Sequence, residues 1–165
     1  MKNIFIAGML VAALSPIAAH AEYEQVNMTV FGMDCAPCAH AIRVSMKGIE
    51  GVNKVDVDLN TGLVTIKLDS GNKAVMRQFN EAVEKNGFTH KDAHLVVKGK
   101  LTGTAVAPLL EVSGTPDRYA LVPSVAGANI AAMLGKMVEV SAILPQTPKG
   151  KISETLRYSR ITEVR

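Results

Sequence analysis

The chain has 165 residues, a formal net charge of +3 and two cysteines, and aromatic residues make up 4% of it, with no Trp. This length suits one medium domain or two small ones. The low net charge argues against strong overall attraction to nucleic acid. With so few aromatic residues, the core must be built from Val, Ile, Leu, Met and Ala.

The first 21 residues have the order of a cleaved secretory signal. Lys2 gives a positive start, residues 4–14 are apolar but too short to span a bilayer, and residues 19–21 (Ala-His-Ala) form an A-x-A cleavage site. We predict cleavage after Ala21, which makes residues 1–21 a signal peptide and places the mature chain in the periplasm or outside the cell. No later segment is apolar and long enough to suggest a transmembrane helix in the mature chain.

The mature chain begins with the pattern of a strand followed by a helix. Apolar and polar residues alternate over 26–30, which predicts a strand. After Pro37 the period changes, and the next apolar residues are spaced 3, 4 and 3 apart, which predicts one buried face of a helix. These residues are Ala39, Ile42, Met46 and Ile49.

A hairpin, a second helix and a last strand follow. Residues 54–59 and 64–68 alternate in the manner of two strands, and Asn-Thr-Gly at 60–62 provides the turn between them. A second helix is predicted to open at 69–71 and to end at Gly87, which suits a helix C-terminus. The last strand begins near Phe88.

The order β-α-β-β-α-β predicts a ferredoxin-like unit over residues 22–94. Residues 22–94 contain 8 Lys and Arg against 10 Asp and Glu, whereas residues 95–165 contain 9 against 5. This change of charge supports a boundary between two units. Because the pattern is complete before the basic half begins, the sequence also predicts that residues 22–94 fold alone.

Cys35 and Cys38, the two cysteines of the chain, lie where the first strand meets the first helix. A helix N-terminus stabilises a thiolate there, and the thiolate is the form that binds metal. Two soft sulfur ligands suit Cu(I) or Hg(II). Zn(II) prefers about four ligands, so it fits this pair less well.

The segment "GMDCAPCA" at 32–39 resembles the GMxCxxC signature of the heavy-metal-associated domain family, which includes copper chaperones, copper-ATPase N-terminal domains and periplasmic mercury-binding proteins. The resemblance extends over about residues 25–92 and includes "GIEGV" at 48–52 and "GF" at 87–88. It implies that Cys35 and Cys38 are the metal thiolates. It also implies that Met33 anchors the loop in the core and that Phe88 packs beneath the site.

The histidines are weaker candidates for the site. If a third ligand exists, His90 is the better choice, because it lies closer to the loop end of the last strand. His40 lies two positions after Cys38, so on a helix it projects to a different side. His94 is predicted to be a surface or packing residue.

Three alternatives to a metal clamp remain open for the cysteine pair. A thiol–disulfide exchange protein would use the same C-x-x-C motif in an oxidising compartment. A structural disulfide would close a very short loop, which contributes little to stability. A pure interaction module would carry the cysteines incidentally.

Residues 95–165 have the pattern of a small OB-like β-barrel, with three strands, a short helix and two more strands. Tyr119 and Tyr158 are the aromatic residues of this half, too few for a single-strand nucleic-acid platform, so we predict no nucleic-acid binding. A structural, docking or dimerising role is expected instead. The elements are placed at 95–102, 109–112, 119–122, 126–134, 138–144 and 155–164.

The sequence therefore predicts an α+β protein with a ferredoxin-like βαββαβ domain followed by an OB-like barrel. The predicted function is non-enzymatic: capture of Cu(I) or Hg(II) by the cysteine pair, and storage or transfer of the ion by ligand exchange. The expected partners are the metal ion and an acceptor, either a membrane transporter or another metal-binding protein.

Overall fold

The computed structural model describes residues 22–124 and 129–164. The predicted signal peptide, residues 1–21, lies outside the described residues. Within the described residues, no helix combines the length and the apolar character needed to cross a bilayer.

The first unit has the predicted β-α-β-β-α-β order. The two helices cover one face of a sheet whose antiparallel strands lie in the order β2-β3-β1-β4. The prediction of a ferredoxin-like N-terminal unit is thus confirmed. The elements are β1 (Glu22–Phe31), α1 (Ala36–Lys47), β2 (Val52–Asp58), β3 (Leu63–Leu68), α2 (Met76–Lys85) and β4 (Thr89–Gly103).

The helix α2 begins later than the sequence suggests, at Met76 rather than near 69–71. The intervening loop instead holds the first residues of β1. The Glu22 carboxylate accepts a hydrogen bond from the Gly71 N–H, and Asn72 Nδ2 donates to the Tyr23 carbonyl oxygen over 2.8 Å. Gly71 and Asn72 thus form hydrogen bonds with Glu22 and Tyr23 of β1, and the helix begins after them.

The second unit is a closed barrel of five strands. Going round it, each strand pairs with the next in the order β4-β5-β6-β8-β7, and β7 pairs back to β4. The β6–β8 contact is parallel and the others are antiparallel. This barrel is compatible with the predicted OB-like arrangement. Its further elements are β5 (Pro108–Glu111), β6 (Arg118–Pro123), α3 (Ile130–Met133), β7 (Met137–Leu144) and β8 (Thr155–Glu163).

The strand β4 belongs to both units. Its first part pairs with β1, where Val26 lies opposite Leu95, and the same residues pair on the other edge with β7, where Leu95 lies opposite Ala142. The predicted boundary between residues 94 and 95 therefore falls inside one continuous strand of 15 residues. One cluster of buried apolar side chains runs through both units, from Ile66 and Phe79 to Leu156.

A buried polar contact also joins the units. The Tyr23 hydroxyl donates to Asp117 Oδ2 over 2.5 Å and lies 2.6 Å from the Tyr119 hydroxyl, which therefore donates to it. The same Asp117 oxygen accepts from the Met76 N–H over 2.8 Å, at the start of α2. Burial, and then the neighbouring tyrosine and carboxylate, raise the pKa of Tyr23 well above its ordinary value. The carboxylate of Asp117, the residue before β6 in the second unit, therefore accepts hydrogen bonds from two groups of the first unit.

Candidate metal centre

Cys35 and Cys38 lie at the start of α1, where the chain turns from β1 into the helix. Cys35 is the N-cap residue, with extended backbone, and its Sγ accepts a hydrogen bond from the Cys38 N–H over 3.2 Å. Pro37 lies within the first turn, where its missing N–H costs no helical hydrogen bond. The helix therefore begins at the cysteine pair, with its positive end directed at the sulfur atoms.

The two sulfur atoms form a disulfide with each other. Both side chains are half-buried, so the bond is reachable from solvent. Thiolates bind metal ions, and the sulfur atoms of a disulfide are not thiolates. Metal binding therefore requires reduction of the Cys35–Cys38 bond. The structure therefore brings together the two residues that the motif singled out and places them in their oxidised form.

Asp34 joins the cysteine pair. Among the described residues, one group of His, Cys, Asp and Glu side chains brings three ligand atoms within 4.8 Å of one another, and it consists of Asp34, Cys35 and Cys38. The sequence motif indicates Cys35 and Cys38 as ligands and does not indicate Asp34. Its position directly before Cys35 in the sequence is the one hint of a role at the site. Whether its carboxylate points towards the sulfur atoms depends on the loop conformation.

Met33 and Phe88 lie behind the loop. Met33 is 4% exposed and belongs to the apolar cluster. Gly32 has a positive φ of 82°, and a Cβ added there would lie 3.5 Å from Cδ1 of the Phe88 ring. The Phe88 ring therefore lies directly against the loop backbone at Gly32. The side chain of the next residue, Met33, packs in the core and anchors the loop there.

The three histidines that the structure describes, His40, His90 and His94, are not part of this group. His90 is 7% exposed and lies opposite Val30 in the β1–β4 pair. Its Nδ1 is 2.7 Å from the Lys91 carbonyl oxygen, which accounts for one ring nitrogen. His40 and His94 are exposed, on α1 and β4 respectively. In the oxidised structure the three histidines thus have surface or packing environments.

Met33→Ala is expected to lower the free energy of unfolding by about 2–5 kcal/mol, because a buried methionine leaves a cavity when it is truncated. Metal affinity should fall as well, through a looser loop. Thermal and urea unfolding of the reduced chain would measure the first effect, and competition with a chelator the second. Met46→Ala is the matched control, since Met46 is fully buried on α1 away from the loop. Equal loss of affinity in both variants would contradict an anchoring role for Met33.

Residues 27–89 match the model of the heavy-metal-associated domain. The mercuric transport protein periplasmic component of Shigella flexneri is 31% identical over 88 residues, which are 53% of this chain and 93% of that protein. The chain belongs to the heavy-metal-associated domain family. Copper chaperone CopZ of Staphylococcus aureus (strain JH9) is 33% identical over 65 residues, which are 39% of this chain and 94% of the chaperone.

Among solved structures, oxidized MerP from Ralstonia metallidurans CH34 aligns with 41% of this chain and 93% of its own, at 26% identity and a TM-score of 0.38. The family match ends at residue 89, at the first residue of β4. The family membership therefore concerns the first unit, which contains the cysteine loop, and the barrel strands β5–β8 follow after the matched residues.

Proposed function

We propose that the protein binds one soft heavy-metal ion, Cu(I) or Hg(II), through the reduced Cys35 and Cys38, and holds or passes it on as a carrier rather than an enzyme. The observation that carries this proposal is the pair of sulfur atoms at the exposed start of α1 in a heavy-metal-associated domain. Relatives named for mercuric transport and for copper support the two candidate ions.

The chemistry follows from ligand type and exposure. Each thiol loses its proton as a sulfur–metal bond forms, and the helix N-terminus favours the resulting negative charge. Soft sulfur ligands favour Cu(I) and Hg(II) over hard ions such as Mg²⁺. A half-buried site with two sulfur ligands leaves room for a ligand from an acceptor, a membrane transporter or another metal-binding protein, to bond before the first bonds break.

The proposal is tested by anaerobic titration of the reduced mature chain with Cu(I), Hg(II) and Zn(II), each against a competing chelator, with bound metal counted. We expect one Cu(I) or Hg(II) per chain and weaker binding of Zn(II). The disulfide form of the same preparation is the control and should bind none of the three tightly. Absence of stoichiometric binding by the reduced chain would exclude the metal function.

Asp34 offers a hard oxygen next to two soft sulfurs, so it should matter more for Zn(II) than for Cu(I). Fully deprotonated, the three groups carry three negative charges, of which a divalent ion neutralises two and a monovalent ion one. Asp34→Asn is therefore expected to weaken Zn(II) binding more than Cu(I) binding in the same chelator competition. An equal change for both ions would contradict a preferential role of the carboxylate in Zn(II) binding.

A second function, thiol–disulfide exchange, is favoured by one observation: the two cysteines form a disulfide. In that reaction a substrate thiolate attacks one sulfur, and the other cysteine leaves as a thiolate. A second substrate thiolate then attacks the substrate sulfur of the mixed disulfide, which forms the substrate disulfide and leaves both protein cysteines reduced. Turnover of a model disulfide substrate, compared with that of a small dithiol, separates this function from metal capture.

Export to the periplasm is proposed from the signal-like order of residues 1–21, and the periplasmic relative supports it. The intact mass of the exported protein should correspond to a chain that starts at Glu22. The cytoplasmic fraction of cells in which export is blocked provides the unprocessed control. A folded product that keeps Met1 and stays in the cytoplasm of normal cells would contradict the localisation.

For the second unit we propose an OB-like barrel with a structural or docking role. Strand order and the parallel β6–β8 contact support the fold. The role is proposed from the way in which the barrel completes the first unit, through the shared β4 and the Asp117 contact.

A further inference from the structure

The turn between β2 and β3 contacts the end of β1 from which the cysteine loop departs. Regular pairing of β1 with β3 extends to Thr29 and Leu63. One residue further, the Val30 N–H donates to the Gly62 carbonyl oxygen over 2.8 Å. The turn therefore extends the contact with β1 beyond the strand pair, towards the loop.

Gly62 approaches the β1 backbone so closely that a side chain has no room. Its φ is +70°, and a Cβ added there would lie 2.5 Å from the Val30 carbonyl oxygen and 3.6 Å from its carbonyl carbon. These atoms belong to the backbone and move only if the strand moves. Glycine at this position thus allows both the positive φ and the direct contact.

Hydrogen bonds within the exposed turn hold its shape. The carbonyl oxygen of Asp58 accepts from the Gly62 N–H over 2.8 Å. Its carboxylate accepts from the Asn60 N–H over 2.9 Å and from the Thr61 hydroxyl over 2.8 Å. The turn is therefore a defined element, able to hold the strand end in one position.

On the other edge of β1, the pairing with β4 is irregular at the same place. The register shifts between Met28, opposite Ala93, and Val30, opposite His90. Beyond this bulge the end of β1 pairs with β4 again, at Val30 and Phe31, and on its other edge the Gly62 contact continues the pairing with β3. From Val30 the chain runs through Phe31 and Gly32 to Cys35 within five residues.

We propose that Gly62 is a positioning residue for the metal site: by seating the β2–β3 turn on Val30, it fixes the strand end from which the cysteine loop leaves. This inference rests on the proposed metal function. Gly62 touches no metal ligand, so its effect reaches Cys35 through the β1 backbone. Loss of a group that orients metal ligands typically costs about 10–100-fold in affinity.

The test compares Gly62→Ala with Gly71→Ala in the reduced full chain. Gly71 also has a positive φ, +77°, but a Cβ there would meet no atom within 4 Å, so the two variants share the backbone strain and differ in the contact. Cu(I) affinity is measured by chelator competition in buffer where both variants are folded. Amide hydrogen exchange of residues 31–36 is measured without metal.

We expect Gly62→Ala to weaken Cu(I) binding by about 10-fold and to speed exchange in residues 31–36. Gly71→Ala should leave both unchanged. Equal behaviour of the two variants in both measurements would overturn the proposal.

Asp58→Ala, which removes two hydrogen bonds of the exposed turn, gives a second test if Gly62→Ala does not fold. It is also expected to weaken Cu(I) binding and to speed exchange in residues 31–36. A wild-type chain that binds no Cu(I) would end the metal function, and the exchange data would still decide the positioning role.

Discussion

Cys35→Ser and Cys38→Ser are each expected to remove most of the Cu(I) or Hg(II) affinity, by more than about 100-fold, which exceeds the usual loss from removing a hydrogen-bond partner of a ligand. A metal clamp needs both sulfur atoms at once, since one thiolate gives a soft ion only one strong bond. The fold should stay intact because both side chains are half-buried at the exposed start of α1. Chelator competition and circular dichroism would measure the two effects on the reduced variants.

The exposed histidines provide matched controls for this experiment. His40→Ala and His94→Ala should change metal affinity little, because neither side chain belongs to the group of three ligand atoms around the disulfide. The rival redox function makes a different prediction, since the attacking cysteine matters most in thiol–disulfide exchange. Fast turnover of a disulfide substrate that survives in one serine variant and not in the other would replace the metal function with the redox one.

Most elements of the fold were predictable because their signals are local. Alternation over Val26, Met28 and Val30 gave β1, and helical spacing of Ala39, Ile42 and Met46 gave α1, and all six side chains are buried as expected. Burial of one face requires these periods wherever the rest of the chain lies. The same logic placed the barrel strands.

Contacts between distant segments were not predictable in this way. The residues at 69–72 look like a helix start, but Gly71 and Asn72 bind the first residues of β1, some fifty positions earlier. Asp117 follows Thr115 and Pro116, residue types common in turns, yet its carboxylate accepts hydrogen bonds from the Tyr23 hydroxyl and from the first N–H of α2. Such pairings depend on the tertiary arrangement, which local periodicity does not encode.

The candidate site divides along the same line. The cysteine pair and its place at a helix start follow from a short motif and a change of period. Asp34 joins them because the conformation of the loop between Gly32 and Cys35 brings its carboxylate within 4.8 Å of the sulfur atoms. The contact between Gly62 and Val30 was likewise invisible, because it joins two segments through backbone atoms alone.

The boundary between the units shows how shared structure changes a prediction. An alternating strand at 89–103 can end one domain, begin another or do both, and sequence periodicity is the same in each case. The structure has one strand doing both, with Leu95 and Val97 buried between β1 and β7. The expectation that residues 22–94 fold alone must therefore be judged on what a cut at 94 removes.

A fragment of residues 22–94 is expected to lack a cooperative unfolding transition, whereas the chain from residue 22 to the end unfolds in one. The cut removes Leu95 and Val97, and burial of each contributes about 1.5–3 kcal/mol, a large part of the roughly 5–15 kcal/mol that stabilises a domain. It also removes the partners of β1 from Tyr23 to Val26 and the carboxylate of Asp117 that receives Tyr23.

The matched control is a fragment of residues 22–103, which keeps all of β4 and differs from 22–94 by nine residues. It restores the β1 pairing but not Asp117, so we expect it to recover part of the helical circular dichroism and a broad thermal transition. Urea unfolding of the three chains, followed by far-ultraviolet circular dichroism, makes the comparison.

A 22–94 fragment that unfolds cooperatively at the same midpoint as the longer chain would show that the first unit is autonomous. The barrel would then be an attached module, and its removal should leave metal binding unchanged. If instead the shorter fragment is unfolded, the barrel is the structural support of the metal site, because the core that holds Met33 and the cysteine loop is completed by β4 and the strands paired with it.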